Sequence, residues 1–199
     1  MTSAITGLPA FLTLEEVEHL LKAPNIAKPQ GLRDKALLEL LYASGLRVSE
    51  LVSLSLSQIN LETREIRVIG KGSKERMVLM GLPAAKALTD YLTKGRPILL
   101  KDKISQAVFI NRSGRRIPAR RVQKILDATA KKAGFSKRVY PHLLRHTFAT
   151  HLLDHNADLR VVQELLGHES PSTTQIYTHV SQSQARKVYQ SAHPMAKES

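Results

Sequence analysis

One segment of the chain is apolar around its whole circumference, and it constrains the fold more than any other feature. Residues 31–44 (GLRDKALLELLYAS) carry Leu and Ala on nearly all faces at 3.6 residues per turn. Such a helix has no face to give to solvent, so other elements must surround it. Gly45 follows where helices commonly end in a left-handed residue. We therefore predict a central buried helix that ends at Gly45.

The remaining periodicity predicts more helices around a small sheet. Thr13 and Glu16 form a capping-box pattern, which predicts a helix that begins after Thr13. The β-prone runs 64–69 and 75–80 flank a Gly-Lys-Gly turn and predict a hairpin, and 107–110 predicts a short strand. Further helices are predicted at 48–54, 83–93, 118–133, 141–155, 158–166 and 172–189. The expected fold class is α+β, mostly α-helical, with a small antiparallel β-sheet or hairpin.

The positive charge is concentrated in one stretch. The 199 residues carry a formal net charge of +13, and residues 112–138 hold ten basic side chains against one acidic one. A solvated helix face is the alternative, but this imbalance favours a surface that faces phosphates. Aromatic residues make up only 5% and Trp is missing, which favours a duplex over stacked single strands. The candidate DNA-binding residues are Arg112, Arg115, Arg116, Arg120, Arg121, Lys124 and, on the hairpin, Lys74.

Several classes of site are excluded. The chain has no cysteine, and Leu143 stands where a His-Glu-x-x-His zinc site needs its Glu, so we expect no metal. Glu65 stands where a phosphate-binding loop before Gly70-Lys71 would need Gly, so no nucleotide cofactor is expected. The sequence has neither an apolar run of membrane-spanning length nor a signal-peptide pattern, and we expect a cytoplasmic protein.

Six residues that suit phosphate chemistry stand in order along the chain. They are Arg47, Lys71, His142, Arg145, His168 and Tyr177. Each alone has an ordinary structural explanation: a solvated arginine at a helix start, a packed histidine or a buried tyrosine. On a helix, His142 and Arg145 lie about 60° apart and share one stripe.

In this order and spacing, these six residues closely resemble the active-site pattern of the tyrosine recombinase (phage integrase) family. The stretches ATHLLD, DLRVVQELLGH and STTQIYTHV are similar to those of the Xer-type members, which resolve chromosome dimers. The resemblance extends from about Phe11 to His193, and all six positions carry an expected residue type.

The resemblance implies a DNA strand transferase that works by transesterification without a cofactor. Tyr177 would attack a phosphodiester and form a 3′-phosphotyrosyl bond, with His142 as its general base or proton relay. Lys71 would protonate the leaving 5′-oxygen as the general acid.

The resemblance also implies how the phosphate is held. Arg47 and Arg145 would clamp its non-bridging oxygens with planar, permanently charged guanidinium groups. His168 would hydrogen-bond the scissile phosphate. We expect Glu50, three residues after Arg47, to orient that arginine, the alternative being an ordinary surface pair.

The implied partner is a double-stranded DNA recombination site, bound by a tetramer of this chain or of this chain with a paralogue. We expect a monomer in free solution and no membrane association. The implied function is the resolution of chromosome or plasmid dimers. The alternatives are an integrase of a mobile element, a non-catalytic DNA-binding regulator on the same scaffold, and a type IB topoisomerase.

The resemblance also suggests a division of the chain. We expect a leader at 1–10, the catalytic domain at 11–180, and a C-terminal helix and tail at 181–199. We expect the family's N-terminal core-binding domain to be absent. For residues 181–199 we expect docking in trans on a neighbouring protomer, with docking in cis as the alternative.

Overall fold

A computed structural model describes residues 11–167 and 179–196, and its centre is the predicted buried helix. Helix α2 spans Pro29–Ser44, and every residue from 36 to 44 in it is buried. It ends at Gly45, whose φ of 62° is left-handed, as predicted. Helices α1 (Leu14–Lys22), α3 (Val48–Ser53) and α4 (Leu82–Asp90) pack against it. The apolar circumference of α2 is thus satisfied by neighbours on several sides.

The hairpin belongs to a three-stranded antiparallel sheet. Strand β2 (Glu65–Ile69) pairs with β1 (Ile59–Asn60) on one side and with β3 (Glu75–Leu79) on the other. Residues 71–73 form the tight turn at the tip. The fold class is therefore confirmed: helices dominate, with one small antiparallel sheet.

Of the two predictions between the sheet and the basic stretch, the helix is present but longer than predicted, and the strand was wrong. The helix predicted at 83–93 continues from α4 through a π turn at Tyr91–Gly95 into α5 (Arg96–Leu100). The strand predicted at 107–110 makes only single bridges, Ala107 to Ser55 and Ile110 to Arg116. Backbone bonds join Val108 to Leu54 and Phe109 to Ile117, and the Arg96 guanidinium and the Tyr91 hydroxyl donate to the carbonyls of residues 107 and 108.

The C-terminal half is helical. Helices α6 (Ala119–Lys132), α7 (Pro141–Asp154) and α8 (Leu159–Leu166) lie close to their predicted positions. Helix α9 (His179–Ala192) ends three residues beyond the predicted end at 189, and residues 172–178 lie outside the described part of the chain. No helix within the described ranges is long and apolar enough to cross a membrane.

Helix α9 packs on α7, α8 and β3 of its own chain. The Tyr189 hydroxyl donates to the Ala43 carbonyl at 2.7 Å, and Arg186 pairs with Glu65. His193, which follows the helix, is fully buried and stacks on the Tyr189 ring at a centroid distance of 4.9 Å. In the isolated chain, the C-terminal helix therefore docks in cis.

Candidate active site

The turn between α2 and α3 presents Arg47 beside a buried carboxylate. The backbone N–H of Arg47, the N-cap residue of α3, donates to Glu50 Oε2 at 2.8 Å, and its Nη1 lies 3.1 Å from Glu50 Oε1. The Glu50 side chain is only 5% exposed, whereas that of Arg47 is 38% exposed. Glu50 thus holds the base of Arg47 while the guanidinium stays accessible from solvent.

Arg145 reaches the same turn from α7. Its Nη1 donates to the Gly45 carbonyl at 2.5 Å, and its Nη2 donates to the Leu166 carbonyl at 2.6 Å. The residue is 8% exposed. These bonds use two of the five N–H groups of a guanidinium and fix its plane between the ends of α2 and α8.

A third arginine, which the sequence analysis did not single out, completes the cluster. Arg76 of β3 donates to Glu50 with both terminal nitrogens, at 2.6 Å and 3.0 Å. Its side chain is 8% exposed. The feature that could have identified Arg76 is its register in the strand. It pairs with buried Val68 and lies two residues before buried Val78, so it occupies an inward position. An arginine at such a position needs a buried partner, and Glu50 is that partner.

The pKa values in this cluster follow from burial and mutual charge. Burial alone would raise the pKa of the Glu50 carboxyl, but Arg76 and the Arg47 N–H hold it below its ordinary value. Burial and the positive charges of Arg47 and Arg76, only partly offset by Glu50, lower the pKa of Arg145 to about 10. Glu50 and Arg145 therefore both stay charged at neutral pH.

Three guanidinium groups around one carboxylate leave an excess of positive charge in a largely buried site. We define this set, Arg47, Glu50, Arg76 and Arg145, as the arginine cluster. A phosphodiester is an anion of the right geometry for such groups, and its transition state for displacement carries additional negative charge on the non-bridging oxygens. The arrangement is suited to binding and activating a phosphate.

Of the other four predicted catalytic residues, two lie within the described part of the chain. Lys71 begins the turn at the tip of the hairpin that also carries Arg76. His142 is exposed in the first turn of α7, one turn before Arg145. His168 and Tyr177 lie outside the described residues. Gly167, the last described residue before them, ends α8 directly beside Arg76.

The predicted DNA-binding residues form an exposed basic band. All of them are exposed: Arg112, Arg115, Arg116, Arg120, Arg121, Lys124 and Lys74. Helix α6, which carries three of them, packs against α3, so the band lies near the helix that Arg47 begins.

Arg116 differs from the rest of the band. Its Nη1 donates to the carbonyls of Val52 and Leu54, at 2.9 Å and 2.7 Å, and its Nη2 lies 3.1 Å from Ser55 Oγ. Arg116 therefore satisfies carbonyls at the C-terminal end of α3 and steadies the helix that presents Arg47.

The family model described as the phage integrase family matches residues 10–184. The chain belongs to this family. Several members of the phage integrase family that resemble it carry Xer names. Tyrosine recombinase XerC of Pelotomaculum thermopropionicum is 49% identical over 194 residues, which cover 96% of this chain and 63% of that protein.

Solved structures agree with this membership. The crystal structure of XerA recombinase is 35% identical with a TM-score of 0.74, over 92% of this chain and 65% of that one. A XerH site-specific recombinase bound to palindromic difH substrate, in a post-cleavage complex, is 28% identical with a TM-score of 0.69, over 96% and 55%. The chain thus spans less than two thirds of the length of each of these phage integrase family relatives.

Proposed function

We propose that the protein is a site-specific DNA recombinase that cleaves and rejoins strands through a 3′-phosphotyrosyl intermediate. The observation that carries this proposal is the arginine cluster, which gathers Arg47, Arg76 and Arg145 around one buried carboxylate. Membership of the phage integrase family and the likeness to XerC support it.

The proposed chemical step exchanges one phosphoester bond for another. The Tyr177 oxygen attacks the phosphorus, its proton passes to His142, and the bond from phosphorus to the 5′-oxygen breaks. Lys71 gives its proton to that 5′-oxygen, and His168 hydrogen-bonds the phosphate. Because the phosphotyrosyl bond replaces the broken one, rejoining needs no separate source of energy.

Arg47 and Arg145 contribute by stabilising charge as it develops. The carbonyls of Gly45 and Leu166 fix the orientation of Arg145 before DNA arrives, so little reorganisation is needed when the phosphate binds. The exposed basic band supplies non-specific attraction to the duplex backbone.

We further propose that the substrate is a double-stranded recombination site, on which the chain acts as part of a tetramer, alone or with a paralogue. The XerH structure, a complex with a palindromic DNA substrate, supports the DNA partner. Free in solution the chain is a monomer, and on DNA the segment 181–199, whose helix α9 packs in cis in the isolated chain, docks on a neighbouring protomer. Resolution of chromosome or plasmid dimers is the proposed role, which places the protein in the cytoplasm.

A nicked suicide duplex tests the chemistry directly. Candidate recombination sites, the palindromic difH duplex among them, are incubated with the unsubstituted chain and with Tyr177→Phe, and covalent adducts are separated on denaturing gels. Adducts from the unsubstituted chain only, with equal DNA binding by both proteins, are expected. Adducts from Tyr177→Phe would overturn the assignment of the nucleophile.

The adduct assay, together with a plasmid relaxation assay, separates the alternatives. A DNA-binding regulator gives no adduct on any duplex, and a topoisomerase relaxes unrelated supercoiled plasmid. For Lys71→Ala, a substrate with a sulfur in the leaving 5′ position restores cleavage, since a thiolate leaves without protonation. Lack of rescue would contradict the general-acid role.

A further inference from the structure

We propose that Arg76 is a positioning residue for strand cleavage, which ties the hairpin bearing Lys71 to the carboxylate that holds Arg47. This inference rests on the proposed function, because it names a further residue that the same reaction needs. Arg76 does not touch the phosphate in the proposal; it acts through Glu50.

The first support is the pair of hydrogen bonds between Arg76 and Glu50. Two parallel bonds of 2.6 Å and 3.0 Å fix the carboxylate in one plane, and Glu50 in turn bonds the backbone N–H and Nη1 of Arg47. The connection between β3 and Arg47 therefore passes through one buried carboxylate. A change at Arg76 is transmitted to the first phosphate-binding arginine.

The second support is the position of Arg76 on the hairpin. It follows Lys71 by five residues on the arm that leaves the tip, and pairs with Val68 on the other arm. An exposed hairpin tip with few buried contacts opens readily, so an inward side chain close to the tip restrains it. Arg76 lies in the second residue pair from the tip, and its ion pair with Glu50 fixes this end of the hairpin to the α2–α3 turn.

The third support is the approach of Gly167 to the Arg76 guanidinium. A Cβ at position 167 would lie 2.9 Å from Arg76 Nε and 3.0 Å from its Cδ and Cζ. The end of α8, where the Leu166 carbonyl receives Arg145, therefore also rests on Arg76. Arg76 thus contacts Glu50, which holds Arg47, and Gly167, which follows the carbonyl that holds Arg145. It also lies on the hairpin that carries Lys71.

The matched control is Arg67, an arginine on the adjacent strand whose side chain lies on the other face of the sheet. It pairs only loosely with Glu75, at 3.5 Å, and the two side chains are 47% and 53% exposed. Arg67→Met therefore removes the same charge from the same sheet without touching the arginine cluster.

The test measures the rate of adduct formation on the nicked duplex that the unsubstituted chain cleaves, with DNA at saturation. Arg76→Met is expected to slow cleavage on the order of 10²-fold, the loss typical of a misplaced catalytic group, while Arg67→Met changes it less than about twofold. DNA affinity, measured on a duplex of unrelated sequence, stays the same for both variants.

Two further readouts separate positioning from a loss of stability. Glu50 faces Arg47, Arg76 and Arg145, so removal of Arg76 makes its carboxyl easier to protonate, and the acid side of the pH–rate profile moves to higher pH in Arg76→Met only. In a double-mutant cycle, Arg76→Met costs much less in a Glu50→Gln background than in the unsubstituted chain.

Folding is monitored by thermal unfolding. Arg76→Lys, which keeps the charge but cannot form both parallel bonds, replaces Arg76→Met if the latter does not fold. Equal rates for the Arg76 and Arg67 variants, or additive effects in the cycle with an unmoved pH profile, would overturn the role of Arg76. No adduct from the unsubstituted chain would instead overturn the proposed function.

Discussion

The arginine cluster and the basic band both consist mainly of arginines, but they differ in what surrounds the charge. In the cluster, Glu50, Arg76 and Arg145 are at most 8% exposed and are hydrogen-bonded to one another or to backbone carbonyls. In the band, every residue is exposed to solvent.

This difference separates two jobs that a DNA-acting protein needs. Solvated charges attract the duplex at long range and tolerate a change of position, because salt and water screen each of them. Buried charges cannot move without leaving a partner unsatisfied, so they are suited to holding a bound anion in one geometry. Substitutions in the cluster should therefore slow DNA cleavage. Substitutions in the band should instead reduce the salt dependence of DNA binding.

The largest effect is expected for Arg145→Lys. A lysine keeps the charge but cannot bridge the Gly45 and Leu166 carbonyls in one plane, so cleavage should fall on the order of 10³-fold. DNA affinity should hold, since the band is intact. Single-turnover adduct formation and duplex binding, measured side by side, check this split. A parallel fall of both would remove the distinction between the two regions.

Gly167→Ala should have the next largest effect. Its φ of 66° is left-handed, and the new Cβ would press on the Arg76 guanidinium at about 3 Å. Gly134 has a similar φ of 83° but open space at its Cβ, so Gly134→Ala measures the backbone strain alone. We expect about 1 kcal/mol for Gly134→Ala and roughly 1–2 kcal/mol more for Gly167→Ala by chemical denaturation. Equal losses of unfolding free energy for the two variants would mean that the Arg76 side chain moves aside without cost.

A buried imidazole gives a smaller effect that depends on pH. Burial lowers the pKa of His193 to about 3, against 6.5 for a free histidine, so the unfolded chain binds a proton that the folded chain does not. Stability is therefore full above pH 6.5 and falls by up to ~1.4 kcal/mol per pH unit as the pH drops below it.

His193→Phe should make that slope shallower in urea melts taken between pH 7 and pH 5. His146→Gln, on an exposed position of α7, should leave the slope as in the unsubstituted chain. An unchanged slope for His193→Phe would assign the acid sensitivity to other groups.

The smallest effect on stability is expected in the band. Replacing both Arg120 and Arg121 by Ala should change the free energy of unfolding by no more than about 0.5 kcal/mol. The slope of log affinity against log salt should become shallower by about 0.9 for each phosphate that the variant no longer neutralises. Lys86→Ala, an exposed cation on α4, should leave the slope unchanged. Salt titration of a labelled duplex distinguishes the two, and a slower cleavage at saturating DNA would contradict a purely binding role.

The sequence predicted the fold where local pattern and burial agree. The apolar circumference of α2, the Gly45 terminus and the Thr13 capping box all correspond to elements of the structure. The strand predicted at 107–110 was wrong because the backbone partners of that segment change along it, from Leu54 at Val108 to Ile117 at Phe109, so no continuous ladder forms. The side chains of Arg96 and Tyr91 accept or donate the remaining bonds, and nothing in the local sequence of 107–110 signals them.

The sequence by itself determined the residue types of the candidate site and the location of the excess positive charge. Those properties are local: the order of six polar residues and the ten basic side chains within 112–138 can be read without knowing which residues contact them. The tertiary structure decided which charges are buried together. Arg76, Glu50 and Gly167 lie far apart along the chain, and the strand register and the left-handed end of α8 bring them into contact. A buried ion pair forms only between groups that folding places together, and a residue list does not contain that information.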